Sequence, residues 1–241
     1  MIDITANLRA VEARIEAATA AAGRPAGSVR LLPVSKTHPL ELIREAHAAG
    51  HHLFGENKVQ EMVSKAEELM PDEDISFALI GHLQSNKAAH AARAASEFHA
   101  LDSLKVARAL DRHCDTEQRR LTVYIQVNSS GEEQKFGLPP EEVADFARQL
   151  EAFENLDVVG LMTLAVFSDD TERVEACFRR MEEVRAQLRD DGVLGIGWDE
   201  LSMGMSGDFE LAIAHGATVV RVGQAIFGTR LNAQDYWPGA L

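Results

Sequence analysis

Short apolar runs alternate with amphipathic stretches along the whole chain, and this alternation limits the possible folds more than any single residue does. Ile4, Leu8, Val11 and Ile15 recur at three- and four-residue spacing until Gly23 and Pro25 stop the run, which predicts an opening helix. Residues 29–35 then read as a short strand, 40–49 as a helix, and Leu53 with Phe54 as a second strand. Further strands are predicted at 75–80, 97–100, 121–127, 156–161, 198–202 and 218–222, with helices over 59–69, 87–95, 104–113, 140–150, 171–188 and 208–214. Strict β/α alternation admits a closed barrel or an open doubly wound sheet, and eight units behind one leading helix favour the barrel. No low-complexity tract or Pro/Ser-rich linker divides the chain, so the expectation is a single (β/α)8 TIM-type barrel domain over residues 1–241 with an extra N-terminal helix.

Composition agrees with one self-sufficient core. At 241 residues and 46% hydrophobic content the chain can bury most of its unfolded surface without staples. Cys114 and Cys177 are too far apart in sequence for a redox pair or a metal set and read as reduced thiols in helices. The N-terminus lacks the continuous apolar stretch of a signal peptide and no later segment is long enough to span a membrane, so a cytoplasmic location is expected. The net charge of −14 disfavours nucleic acid as a partner. A small anion needs only a local pocket of N–H groups and a cation or two. His51 and His52 lack zinc-ligand spacing, and no metal site is expected.

In a parallel barrel the chemistry gathers where strands end and their following loops begin. Ser35-Lys36-Thr37-His38 follows the first predicted strand, Gly55-Glu56-Asn57 the second, and Gly81-His82 opens the run after the third. Asp102-Ser103, Asn128-Ser129-Ser130 and Met162-Thr163 come next, then Ser202 to Gly207, and finally Arg221-Val222-Gly223-Gln224. Lys36 ends an apolar strand, where desolvation favours the neutral amine that attacks an aldehyde. The plainer alternative is a solvated cation, or one paired with Glu56. The run Ser202 to Asp208 and the pair Gly223-Gln224 offer free backbone N–H groups before short helices, a natural phosphate cup. Each could instead be a tight turn that needs glycine for its backbone. Closure of a barrel would bring Arg221 beside the first strand, unless it bridges to Asp199 or Glu200. Asp102 and Glu56 read equally well as bases, as braces for Lys36 or as helix caps. The Gly-x-Ser-x-Gly, GxGxxG and phosphate-loop patterns are absent.

Seven ordered blocks carry a family resemblance: VSKTHP at 34–39, FGENKVQE at 54–61, IGHLQSNK at 80–87, IQVNSSGEEQKFGL at 125–138, GLMT at 160–163, LSMGMSGDFELAI at 201–213 and VRVGQAIFGTR at 220–230. In these the chain resembles the pyridoxal phosphate homeostasis proteins. The resemblance implies a barrel similar to the N-terminal domain of alanine racemase, with the vitamin B6 cofactor pyridoxal 5′-phosphate (PLP) joined to Lys36 as a Schiff base. It implies further that Ser206 and N–H groups around Gly207, Gly223 and Gln224 hold the phosphate, that Arg221 faces the pyridine nitrogen, and that Asn57 and Met203 line the pocket. Two departures from the family pattern stand out: Phe77-Ala78 stands where a Trp-His pair is usual, and Gln224 where many relatives carry threonine.

The residues also bear on whether such a protein catalyses anything. PLP is the stronger electron sink when its ring nitrogen is protonated beside a carboxylate, and a permanently charged arginine opposes that protonation. Racemases of related fold draw a second base, a tyrosine, from an additional β domain. This chain has no residues left for that domain, and its tyrosines are Tyr124, in a predicted strand, and Tyr236, in the C-terminal tail. The expectation is a carrier or regulator of PLP supply, a monomer or weak homodimer with PLP-dependent apo-enzymes as recipients, and the alternative is a PLP-dependent amino-acid racemase.

Overall fold

The structure is a computed structural model of the chain and describes residues 2–70 and 74–229; Arg230 and Tyr236 lie outside the described residues. Helix α1 (Ile4–Ala21) opens the fold, capped by Asp3, whose carboxylate accepts the Ala6 N–H at 2.8 Å. Its buried stripe of Ile4, Leu8, Val11 and Ile15 is the face the spacing predicts, and it packs on the helices that follow the last two strands.

Eight parallel strands follow: β1 (Arg30–Pro33), β2 (Leu53–Glu56), β3 (Ser76–Leu79), β4 (Ala95–Leu101), β5 (Leu121–Gln126), β6 (Leu156–Met162), β7 (Glu200–Ser202) and β8 (Val219–Val222). They form one sheet in the order β1-β8-β7-β6-β5-β4-β3-β2. Its two outer strands meet at a single bridge, Val34 with Gly55, where the Ser35 N–H reaches the Gly55 carbonyl at 3.0 Å. The sheet therefore closes on itself, and the closing seam lies directly beneath Lys36.

The helices between strands are α2 (Leu40–Ala48), α3 (Val59–Leu69), α4 (Ala88–Ala94), α5 (Leu104–Thr116), α6 (Val143–Leu150), α7 (Thr171–Asp190), α8 (Phe209–Ala214) and, after β8, α9 (Gln224–Phe227). Each turns apolar residues inward onto the barrel, and Cys114 and Cys177 are separate free thiols buried in α5 and α7. Among the described residues no helix is long and apolar enough to cross a membrane. Several boundaries move by one to three residues, and at β7 the reason is plain: the strand starts at Glu200, because Trp198 adopts φ 50° in a turn and sinks its ring into the core, its indole N–H donating to the Val193 carbonyl at 2.9 Å. The apolar character that suggested a longer strand comes from this buried turn.

Candidate functional site

The mouth at the C-terminal ends of the strands has two corners that matter. At the first, the chain leaves β1 through Val34 and Ser35 into a turn bearing Lys36 and Thr37, both partly buried. Thr37 has φ 64°, a left-handed conformation costly for a β-branched residue and held only when its surroundings over-determine it. The surroundings are a buried ionic cluster. Lys65 Nζ donates to the Ser35 carbonyl at 2.8 Å, to Glu56 Oε1 at 2.7 Å and to Glu61 Oε1 at 2.9 Å. The Ser35 hydroxyl donates to the same Glu56 oxygen at 2.6 Å, and the Thr37 N–H to Glu61 Oε1 at 2.5 Å. The cluster thus grips the residue before Lys36 and the residue after it.

All three ammonium protons of Lys65 find acceptors, as a fully buried lysine requires. Burial pushes the Glu56 carboxyl up to about 7 against the pull of Lys65 and the Ser35 hydroxyl, with Glu61 adding to the rise. Among the described residues Glu56 Oε2 has no hydrogen-bond partner. Sequence reasoning weighed Glu56 as a direct brace for Lys36; its partners are Lys65 and Ser35, and it braces the backbone instead. Glu61 and Lys65 escaped notice, although a signal exists: Lys65 follows Met62 by three residues on a face of α3 that is otherwise apolar, and Glu61 stands one helical turn before it.

The second corner is built by β6, β7 and β8. Arg221 is 3% exposed, and its guanidinium donates through Nη1 to Ser202 Oγ at 2.7 Å and through Nη2 to the Thr163 carbonyl at 2.7 Å. The bridges to Asp199 or Glu200 do not form: Asp199 pairs with Arg189 at 2.7 Å, and Glu200 accepts from the Thr218 hydroxyl at 2.9 Å. Burial draws the Arg221 guanidinium down to about 10, partly offset by Asp208. A cation held by neutral groups at the level where β6 and β7 end keeps its other N–H groups for an acceptor in the mouth.

Beside it lie the expected phosphate residues. Ser206 and Gly207 sit in the turn between β7 and α8, Gly223 caps α9, and Gln224, exposed, is the first residue of that helix. Among the described residues the backbone N–H groups of all four are without a backbone partner. Gly223 also has no room to spare, since a Cβ there would stand 3.1 Å from the Val34 carbonyl. Two loops of open N–H donors beside a lysine and a buried arginine fit the donor set that a phosphorylated aldehyde requires. Register draws the corners together: Pro33 lies opposite Val222, and the Val34 N–H donates to the Val222 carbonyl at 2.8 Å, so the Lys36 turn and the Gly223 loop leave neighbouring strands side by side.

Of the other expected residues, Met203 is fully buried after β7, while Asn57 is exposed after β2 and lines a cleft of about 440 Å³ with Ile80, His82, Gln126, Phe136 and Leu164. His82 stacks on Phe136 with ring centroids 4.0 Å apart. Asp102 caps no helix; it accepts the Gly137 N–H at 3.2 Å, and burial raises its pKa. The divergent pair Phe77-Ala78 is fully buried in β3, where Phe77 packs on Phe54. Tyr124 is buried inside the barrel at 1% exposure, away from the mouth, with its hydroxyl 3.2 Å from Arg30. Among the described residues no group of His, Cys, Asp or Glu stands where it could hold a metal ion.

Residues 6–231 match the family model described as the alanine racemase N-terminal domain. The pyridoxal phosphate homeostasis protein of Pseudomonas aeruginosa is 41% identical over 230 residues, covering 95% of this chain and 97% of that protein. PipY of Synechococcus elongatus, solved with PLP bound, superposes with a TM-score of 0.82 at 35% identity, over 93% of this chain and 100% of that one. Alanine racemase of Clostridium difficile in complex with cycloserine superposes with a TM-score of 0.73 at 15% identity, covering 99% of this chain but 62% of the racemase, a likeness of fold alone.

Proposed function

The chain belongs to the alanine racemase N-terminal-domain family and within it to the pyridoxal phosphate homeostasis proteins, and from that premise we propose that it binds PLP as a Schiff base on Lys36 and serves intracellular PLP supply as a carrier or regulator. The observation that carries this reading is the meeting of the Lys36 turn, the open N–H groups at 206–207 and 223–224, and Arg221 anchored only to neutral groups. When bound, PLP supplies an aldehyde for the Lys36 amine and a dianionic phosphate for the two loops. Ser206, Gly207, Gly223 and Gln224 hold the phosphate, and Gln224 leaves its backbone N–H to do what a threonine hydroxyl could otherwise share. Asn57 forms the wall toward the open cleft, and Met203 supports the floor. Arg221 directs one of its remaining N–H groups at the pyridine nitrogen.

The same geometry argues for carriage over catalysis. Arg221 opposes protonation of a ring nitrogen that it faces. Proton transfer on the opposite face needs a second base, and Tyr124 is committed inside the barrel, where burial and the neighbouring Glu97 raise its pKa. The recipients are PLP-dependent apo-enzymes, and the protein works in the cytoplasm.

The purified protein is expected to show a near-visible absorbance band that borohydride abolishes and that Lys36→Ala lacks. A Lys36→Ala protein that keeps the band with unchanged intensity sinks the assignment of Lys36. Incubation with each proteinogenic amino acid in deuterated water tests the carrier reading: rapid Cα exchange with turnover makes the protein a racemase-like enzyme instead. Transfer of the bound PLP to an apo-enzyme distinguishes carriage from storage.

A further inference from the structure

Beneath Arg221 a chain of buried hydrogen bonds runs down through the barrel. Ser202 Oγ, which accepts from Arg221, lies 2.9 Å from His99 Nδ1, and His99 Nε2 lies 2.7 Å from Glu97 Oε2. Both terminal nitrogens of Arg30 grip Glu97, Nη2 on Oε2 and Nη1 on Oε1, each at 3.0 Å. The links come from β8, β7, β4 and β1, and His99 is 0% exposed. Ser202 ends β7 directly below Arg221, and His99 and Glu97 lie deeper, within β4.

The direction of every proton in this chain can be worked out. An ionised Glu97 only accepts, so His99 Nε2 must carry the hydrogen that fills the 2.7 Å contact. A second proton on the ring is opposed by burial and by Arg221 and Arg30, which together outweigh Glu97 and bring the imidazole down to about 4. Nδ1 is then a bare acceptor at neutral pH, and among the described residues the hydrogen available to it is that of the Ser202 hydroxyl. With its hydrogen committed, Ser202 turns its lone pairs toward the Arg221 Nη1–H.

We propose that His99 is a positioning residue for Arg221: locked as the neutral Nε2–H tautomer between Glu97 and Ser202, it fixes the Ser202 hydroxyl as the acceptor that holds the guanidinium. With the Thr163 carbonyl as second anchor, the guanidinium plane is set, and three of its five N–H groups are left without an acceptor among the described residues. The relay also carries part of the Glu97 charge to a buried arginine that hydrogen-bonds to no carboxylate among the described residues, as outer partners do for metal-bound imidazoles. The use made of those three N–H groups rests on the PLP reading; the lock itself does not.

The test is made on PLP-free protein. Two-bond proton–nitrogen correlations on histidine-labelled protein are expected to show His99 with Nε2 protonated and Nδ1 bare across neutral pH. An Nδ1–H tautomer or an imidazolium overturns the proposal. Hydrogen exchange at the Arg221 side chain reads the positioning: His99→Phe is expected to speed it about tenfold, on the scale of one hydrogen bond lost. His99→Gln, whose amide can accept from Ser202 and donate to Glu97, restores slow exchange. Should the Phe variant not fold, Ser202→Ala removes the same link with a smaller change of shape. Exchange unchanged in the variant tested, or a Gln variant as fast as the Phe, overturns the positioning role. An absent near-visible band in the parent protein sinks the PLP reading alone and leaves the tautomer and exchange results standing.

Discussion

Two buried cations floor the mouth of this barrel, and the protein holds them by opposite means. Lys65, at the β1–β2 seam, is surrounded by two carboxylates and a carbonyl within 2.9 Å, so charge answers charge. Arg221, on the adjoining side, is held by a hydroxyl and a carbonyl, both at 2.7 Å. The difference follows from what each cation is for. Lys65 spends all its donors on the protein and leaves nothing for a ligand; its product is the shape of the turn that bears Lys36. Arg221 spends two donors of five on the described residues, and a carboxylate within hydrogen-bond reach would have claimed more of them. The structural cation is saturated, and the one proposed to face the ligand is kept short of acceptors.

The sharpest way to break the comparison is Lys65→Met. Removing one member of a buried ionic cluster strands the others, so the variant is expected to lose about 3–5 kcal/mol, read by urea denaturation. If it does not fold, the triple change Lys65→Met, Glu56→Gln, Glu61→Gln removes the stranded charge and recovers much of the loss. A loss below about 1 kcal/mol, the scale of an exposed pair such as Arg93 with Glu117, would mean that the cluster contributes little.

A second effect is a pH slope. The folded Glu56 carboxyl titrates near 7, above its unfolded value, so the native state is the better proton binder in between. Stability from this group is therefore present in full below the unfolded value and is lost as pH rises toward 7. The slope approaches about 1.4 kcal/mol per pH unit at most. Buried His99, with its folded pKa lowered to about 4, pushes the other way, because its unfolded form binds the extra proton. The difference between the parent and Glu56→Gln isolates the carboxyl: the parent's stability should fall relative to the variant between about pH 5 and pH 7 and run parallel above it. Parallel curves throughout would show that Glu56 is ionised in the fold across that range.

The two corners were also unequally legible in the sequence. Glycine, serine and arginine at strand ends mark the loops proposed to hold phosphate, because backbone N–H groups at a helix start need no distant partner to be recognised. The alternation announced the barrel for the same local reason, and it erred at Trp198, where a buried turn imitates a strand. Lys65 and Glu61 looked like an ordinary pair one turn apart on a helix, since their burial depends on a seam closed between β1 and β2 by residues 30 positions away in sequence. Glu97 and His99 alternate within an apolar strand, which marks an inward polar row; what they would meet, Arg30 and Ser202, is decided only when the barrel closes.

Arg221→Met supplies the reversed case. Because its hydrogen-bond partners are neutral, the loss leaves the Thr163 carbonyl unpaired and the Ser202 hydroxyl still bonded to His99, and Asp208, which Arg221 stabilises without a hydrogen bond, loses only that longer-range attraction. An orphaned buried acceptor costs about 1–3 kcal/mol, and release of a guanidinium that burial has already brought down to about 10 offsets part of it. The variant should therefore be more stable than Lys65→Met in the same urea titration. Its effect on the ligand runs in the other order: the near-visible band of the Lys36 adduct should shift or weaken in Arg221→Met, while the triple variant of the Lys65 cluster, once folded, should alter its rate of formation more than its position. Equal stability losses at the two corners, or a band indifferent to Arg221, would remove the distinction between a cation that shapes the chain and a cation reserved for what the chain binds.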